Sequence, residues 1–119
     1  MSIYEYQTFK IDSLSDAKLI IKKFAEKKIN LLHNYESVIY QGPDFIKTLN
    51  KKLKHKNVNY IVELNDNIGL ILTMISIEIN ILARSQKIKK EVLSKILSIA
   101  RIKKIKILYV EELKKLDLV

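Results

Sequence analysis

Residues 57–83, NVNYIVELNDNIGLILTMISIEINILA, carry the clearest strand and helix patterns in the chain. This stretch starts with the β-prone run NVNYIVEL, passes through polar NDN, becomes apolar at almost every position in IGLILTMISI and ends in INILA. A β-branched and aromatic run closed by turn residues predicts a strand, and Asn65 or Asp66 suits the cap of a helix. We therefore predict a strand, a helix over 67–78 and a second strand, which is the repeating unit of a parallel sheet.

Upstream of this stretch the chain keeps alternating between strand and helix patterns. Residues 3–11 (IYEYQTFKI) predict a strand, and Ser13 opens a helix because a carboxylate follows three residues later. Residues 35–41 (YESVIYQ) predict another strand, followed by a helix that begins at Pro43. The segment between them, residues 29–34, fits either an extension of the first helix or a strand.

Downstream, Ser85 is a candidate cap for a helix whose apolar positions run through 88–100. Residues 105–110 (IKILYV) predict the last strand, and 111–118 a helical turn or two. The whole pattern indicates a single α/β domain with a mostly parallel sheet of about five strands and about four helices.

Composition excludes several kinds of site and indicates where in the cell the protein is expected. The chain has 119 residues, 48% of them hydrophobic, and no cysteine, which excludes disulfides, thiolate metal sites and a thiol nucleophile. Residues 1–12 lack the basic and apolar regions of a secretory signal, so a cytoplasmic location is expected. The most apolar segment, 68–83, carries Glu78 and is shorter than the roughly 17 residues of a membrane span, so no span is expected.

The net charge of +9 comes from 22 basic and 13 acidic residues. Almost all the basic residues are lysines, and the frequent Lys, Ile and Asn have AT-rich codons, so a bacterial AT-rich genome accounts for this basicity without a function. One cluster in the chain's second half contributes Lys87, Lys90, Arg101 and Lys104 as a candidate basic patch. Nucleic-acid readout favours arginine and aromatic motifs that are missing here, which argues against a nucleic-acid partner.

Ligands of parallel α/β sheets bind beyond the carboxyl ends of the strands, where helix N-termini offer free N–H groups. The most distinctive turn there is ELNDNIG, whose candidate residues are Glu63, Asn65, Asp66, Asn67 and Gly69. Asp44, in the turn after Gly42, is a further candidate. The alternative interpretation is that Asp66 caps the helix and Gly69 permits close packing of helix on sheet.

No catalytic constellation is recognisable, and we expect no catalytic residues, no metal site and no cofactor. The dinucleotide-binding and P-loop glycine motifs are absent, and no serine has the setting of an activated nucleophile. His33 and His55 are the histidines, too few for a site of three or four converging ligands, and His33 is expected to be solvated.

The strand YIVEL (60–64) followed by DNIGL (66–70) resembles the corresponding segment of STAS domains, the sulfate-transporter and anti-sigma-antagonist module. The resemblance implies a small α/β regulatory module with a STAS-like or flavodoxin-like sheet that binds other proteins. The family's phosphorylatable hydroxyl would fall at Asn67 or Ile68, so the phosphorylation switch is missing. The same segment also resembles a D-x-x-G turn in short bacterial α/β proteins to which no activity is attached.

Three functional hypotheses follow, in order. The first is a non-enzymatic interaction or regulatory module that binds a protein through the turn at 63–69 and an exposed Leu or Ile of helix 67–78. The second is a small-molecule or anion-binding protein that uses the helix N-termini at Asp44 and at 67–69. The third is a weak nucleic-acid binder. Because helix 67–78 is apolar on nearly every side, a homodimer is an open alternative.

Overall fold

Six parallel strands form one sheet in the computed structural model, which describes residues 3–24, 26–112 and 116–117. The strand order is β5-β4-β3-β2-β1-β6, and each described pair is parallel. The strands are β1 (Gln7–Ile11), β2 (Ile29–His33), β3 (Val58–Asn65), β4 (Asn80–Ala83), β5 (Ile107–Tyr109) and β6 (Leu116–Asp117).

Five α-helices connect consecutive strands of this sheet. They are α1 (Leu14–Phe24), α2 (Tyr35–Gln41), α3 (Pro43–Lys52), α4 (Ile68–Ser76) and α5 (Lys90–Lys103). Single 3₁₀ turns are formed by Ile3–Glu5, Ser85–Lys87 and Val110–Glu112. The predicted α/β class, with a parallel sheet and helical crossovers, is confirmed.

The first five strands lie in consecutive order, and this order places the helices. Crossovers between parallel strands are right-handed, so a chain that always steps in one direction lays every helix on the same face. The larger core cluster agrees, because it contains buried side chains from all five helices, among them Ala17, Val38, Ile46, Ile71 and Ile96. We refer to this side of the sheet as the helix face.

The opposite side, the second face, is covered differently. Its apolar cluster takes one residue from each of four strands, Leu32, Ile61, Leu82 and Leu108. Ile3 and Tyr4 of the N-terminal 3₁₀ turn pack against it, and the Tyr109 N–H donates to the Tyr4 hydroxyl at 3.1 Å. The N-terminal turn therefore lies across the sheet on the side opposite the helices.

The segment predicted as a strand at 35–41 is a helix instead. The strand ahead of it is β2, whose five residues are all buried, so residues 29–33 take the strand position and 35–41 begins the crossover. Asn34 starts this helix by accepting a hydrogen bond from the Glu36 N–H at 3.1 Å. The aromatic and β-branched residues of YESVIYQ favour a strand locally, but the tertiary position overrides that preference.

The two ends of the chain also differ from the prediction. The predicted strand 3–11 is divided, since Ile3–Glu5 is a 3₁₀ turn and β1 begins at Gln7. In the predicted C-terminal helical segment, Val110–Glu112 is a 3₁₀ turn and Leu116–Asp117 pairs with β1, while residues 113–115 and 118 lie outside the described residues.

Helix starts were predicted with mixed success. The Ser13 hydroxyl accepts from the Asp16 N–H at 3.2 Å, which confirms the start of α1. Helix α4 is capped by Asn67, not by Asn65 or Asp66. Ser85 lies in a 3₁₀ turn and its hydroxyl bonds to the Glu111 carboxylate at 3.3 Å, so it does not cap α5.

Helix α4 has most of its apolar surface covered. Ile71, Met74 and Ile75 are buried, and Leu72 is the large apolar side chain that stands exposed, at 41%. Strand β4 and helix α5 pack against α4, and the homodimer stays an open alternative. Within the described part of the chain, no helix is both long and apolar enough to cross a membrane.

Candidate functional site

Glu63, the first residue of the distinctive turn, is used as an internal connector. Its carboxylate accepts the Tyr35 N–H at 3.1 Å and lies 3.6 Å from the Lys10 ammonium. Only 14% of the Glu63 side chain is exposed. It therefore ties β1 and β3 to the start of α2, and its charge is already balanced within the protein.

Asn65 closes β3 in a left-handed conformation, with φ 55°. Asparagine tolerates this conformation better than most residues, which accounts for its place at the irregular end of the strand. Its carbonyl accepts the Arg84 N–H at 3.0 Å, and its side-chain oxygen accepts from Arg84 Nε at 3.3 Å. This pair fastens the ends of β3 and β4.

Asn67 has both ends of its amide engaged. Its oxygen accepts the Leu70 N–H at 3.1 Å, which caps α4, and its nitrogen donates to the Tyr35 hydroxyl at 3.1 Å. One of the N–H groups that an anion would use is thus already satisfied by the protein's own side chain.

The other three candidates of the carboxyl edge are exposed. Asp66 makes no hydrogen bond or ion pair with the described residues. A Cβ on Gly69 would meet only Asn67 Oδ1, at 3.9 Å, so no close packing requires this glycine. Asp44 lies in the first turn of α3, and no hydrogen bond or ion pair among the described residues joins it to the turn.

The predicted basic patch is divided between the two ends of α5. Lys87 precedes the helix and Lys90 begins it, whereas Arg101 and Lys104 lie at its far end, about 20 Å away at 1.5 Å per residue. Lys90 and Arg101 do line one groove of 350 Å³ along the helix. The four residues therefore do not form one compact site.

A buried polar cluster on the helix face was not anticipated. His33, expected to be solvated, is 0% exposed, and its Nδ1 lies 2.6 Å from the Tyr60 hydroxyl. Burial lowers the pKa of His33 and raises the pKa of Tyr60, so both groups are neutral at pH 7. The Tyr60 O–H then donates to Nδ1, and we assign the imidazole proton to Nε2.

Next to His33, two hydrogen bonds join α2 to Asp12, the residue that follows β1. The Ser37 hydroxyl donates to the Asp12 carboxylate at 2.9 Å, and Gln41 Nε2 donates to the Asp12 carbonyl at 3.0 Å. His33 Nε2 and Gln41 Oε1 are both buried without a hydrogen-bond partner among the described residues. Gln41 and Asp12 nevertheless raise the pKa of His33, partly offsetting the effect of burial.

The burial of His33 could have been found from the sequence by treating INLLH as a strand. Alternation with period two puts Ile29, Leu31 and His33 on one face, and the first two are apolar. Residues 29–34 fit a helix as well as a strand from the sequence alone, and only the strand carries this signal. No group of three or more His, Cys, Asp or Glu side chains in the described ranges is placed to hold a metal ion.

Several cavities open at the opposite, amino edge of the sheet. One of 710 Å³ lies between Tyr6 and Phe24, and one of 460 Å³ adjoins His55 and Tyr60. A third, of 310 Å³, is lined by three lysines, Lys28, Lys56 and Lys106. These lysines all stand just before strands of a parallel sheet, so they share one edge.

No protein-family model, no curated protein and no solved structure matches the chain significantly. The relationship to STAS domains therefore stays a prediction from residues 60–70.

Proposed function

We propose that the chain is a non-enzymatic interaction module that binds a partner protein through the corner between α2 and α3. Three large apolar side chains stand exposed within seven residues there, Ile39 at 53%, Tyr40 at 92% and Phe45 at 42%. This exposure is the observation that carries the proposal. Tyrosine and phenylalanine are enriched in protein interfaces, where they bury large areas at low entropic cost.

The direction of α2 explains why these residues face outward. Val38 is fully buried against the core, so the next two residues, Ile39 and Tyr40, are turned toward solvent. Gly42, with φ 84°, then breaks the helix, and Pro43 starts α3 on a new axis. An almost wholly exposed Tyr40 contributes little to the core, and together with Ile39 and Phe45 it forms a cluster of exposed apolar side chains that supports the proposed interface.

The corner adjoins the distinctive turn at the carboxyl edge. Tyr35, at the start of α2, bonds to both Glu63 and Asn67. A rigid connection of this kind holds the exposed side chains in place before a partner arrives, which lowers the entropic cost of binding. Leu72 on α4 supplies the exposed leucine expected beside this turn.

The experiment places a photo-crosslinking amino acid at Tyr40 in the full chain, expressed in its native host. The same group at Lys95, exposed on α5, is the matched control. We expect position 40, and not position 95, to form one reproducible crosslink to another protein. The identified partner, purified, should then bind the wild-type chain and lose most of its affinity for Tyr40→Ser.

Two results would contradict the proposal. The first is a crosslink between two copies of this chain, together with a dimer mass in solution that Tyr40→Ser converts to a monomer. The second is equal crosslinking from positions 40 and 95. Unfolding of Tyr40→Ser in urea serves as the folding control, and we expect its stability to stay within about 0.5 kcal/mol of wild type.

A further inference from the structure

Two groups of basic residues at the amino edge have different explanations. The first group lies in the last turns of helices and comprises Lys22, Lys23, Lys51, Lys52, Arg101 and Lys103. A helix carries partial negative charge at its C-terminus, so cations in the last turn stabilise it. These six residues need no ligand to account for them.

The second group is Lys28, Lys56 and Lys106, which the helix dipole does not explain. They stand three or four residues beyond the ends of α1, α3 and α5, at Phe24, Lys52 and Lys103. The dipole effect is confined to the last turn of a helix. Each of these lysines comes just before a strand, so the parallel sheet brings them to one edge.

These three lysines line the same 310 Å³ cavity, beside Tyr6, Asn57 and Asn59. No carboxylate occurs among the described residues that line it, and none of the three lysines forms an ion pair with a described residue. Lys28 is partly fixed in place because its ammonium lies 6.0 Å from the centre of the Tyr6 ring. Lys28 and Tyr6 also line the neighbouring 710 Å³ cavity, where Glu5 and Glu26 are the acidic residues. Within the 310 Å³ cavity the described lining holds three lysines and no carboxylate, so an anion bound there would relieve the repulsion among them.

We propose that this cavity binds a small anion with two or more phosphate groups. Three ammonium groups supply only donors and three positive charges, which match the charge of a diphosphate or triphosphate better than that of a single carboxylate. The volume lies at the lower end of the range for small-molecule sites, about 300 to 1,000 Å³. The cavity lies at the amino edge of the sheet, whereas α2 begins with Tyr35 at the carboxyl edge. The proposed anion site is therefore separate from the proposed protein-binding surface.

The test uses the full chain and pyrophosphate as the probe, at constant ionic strength, with calorimetry and thermal unfolding as readouts. We expect saturable binding with one site per chain and a higher unfolding temperature. Lys106→Gln should weaken the affinity by about tenfold, because it removes one charge-assisted contact. Lys95→Gln removes the same charge on the exposed surface of α5 and should leave the affinity unchanged.

A parallel titration with a single-stranded oligonucleotide separates this site from general attraction to polyanions. The proposal would be overturned by two results together. Pyrophosphate would show no saturable binding, and Lys95→Gln and Lys106→Gln would weaken binding of the oligonucleotide equally. Pyrophosphate binding that Lys106→Gln leaves intact would overturn it as well. A specific loss in Lys106→Gln, with the affinity of Lys95→Gln preserved, supports it.

Discussion

The polar side chains at the two edges of the sheet differ in how far they are bonded to the rest of the protein. At the carboxyl edge, Glu63 and Asn67 bond to the protein itself through Tyr35. At the amino edge, Lys28, Lys56 and Lys106 face a cavity and form no ion pair with the described residues. A distinctive polar turn can therefore be structural, whereas lysines without any sequence motif can be available to a ligand. Substitutions at the two edges should therefore separate effects on stability from effects on binding.

The largest effect is expected beneath the carboxyl edge, for His33→Ala. The change removes a fully buried side chain and leaves the Tyr60 hydroxyl without its partner. Loss of packing and of a buried hydrogen bond should lower the free energy of unfolding by about 3 kcal/mol, measured by urea denaturation. The exposed His55, whose Nδ1 accepts the Asn57 N–H at 3.1 Å, provides the comparison, and His55→Ala should cost no more than about 1 kcal/mol. A loss below about 0.5 kcal/mol for His33→Ala would show that the His33 cluster contributes no stability.

The same cluster should make stability depend on pH. Burial holds the pKa of folded His33 below its ordinary value of 6.5, whereas the unfolded chain titrates near that value. As the pH falls below 6.5, the unfolded state takes up a proton that the folded state does not. The contribution of neutral His33 is therefore complete above pH 6.5 and is lost toward the folded-state pKa. Gln41 and Asp12 raise that pKa and so limit the loss.

Urea denaturation of the wild type and of His33→Gln, between about pH 7.5 and about pH 5, measures this dependence. The wild type should lose more stability on acidification than His33→Gln, which has no imidazole to protonate. A wild-type slope no steeper than that of His33→Gln would remove the cluster as its source.

Asn67→Ala tests the helix cap at the carboxyl edge. Because Asn67 caps α4 and also bonds to Tyr35, its loss should cost about 1 kcal/mol of unfolding free energy. Its neighbour Asp66 makes neither contact, so Asp66→Ala should stay within about 0.5 kcal/mol of wild type. If Asp66→Ala lowered the free energy of unfolding more than Asn67→Ala does, Asp66 would be the residue that caps α4.

Gly69→Ala should have a smaller effect and the opposite sign. The added methyl group meets nothing closer than Asn67 Oδ1 at 3.9 Å, and alanine favours helix over glycine. Stability should rise by about 0.5 kcal/mol in thermal or urea unfolding. Destabilisation would indicate a constraint on the backbone at this position that the described contacts do not show.

The sequence predicts the fold class better than it predicts the site, for a physical reason. Runs such as NVNYIVEL and IGLILTMIS bury their central apolar side chains, Tyr60, Ile61, Val62 and Leu64 in the first and Ile71, Met74 and Ile75 in the second, so their apolar patterns survive in the structure. By contrast, YESVIYQ has the local preference of a strand and becomes α2, because the strand position is already filled by β2. Local preference is weak where the tertiary arrangement decides.

The site depends on strand order, which the sequence does not reveal. Asn67 was recognised as one of the turn residues, but its bond to Tyr35 joins positions that lie far apart in the chain. The cavity lysines are separated even more widely, and only parallel strands starting at one edge bring Lys28, Lys56 and Lys106 together. A search for short motifs cannot find a site made of single lysines from three crossovers.

The smallest effect on stability is expected at the amino edge, for Lys106→Gln without added anion. Lys106 is exposed and its ammonium forms no ion pair with a described residue, so unfolding free energy should change by less than about 0.5 kcal/mol. Any change should be a gain, because the variant reduces repulsion with Lys28 and Lys56. If Lys106→Gln instead destabilised the chain as much as Asn67→Ala, the lysine would be a structural residue like those of the carboxyl edge. Unchanged stability combined with weaker pyrophosphate binding would separate the two edges by function, because only the amino edge would then contribute to binding without contributing to folding.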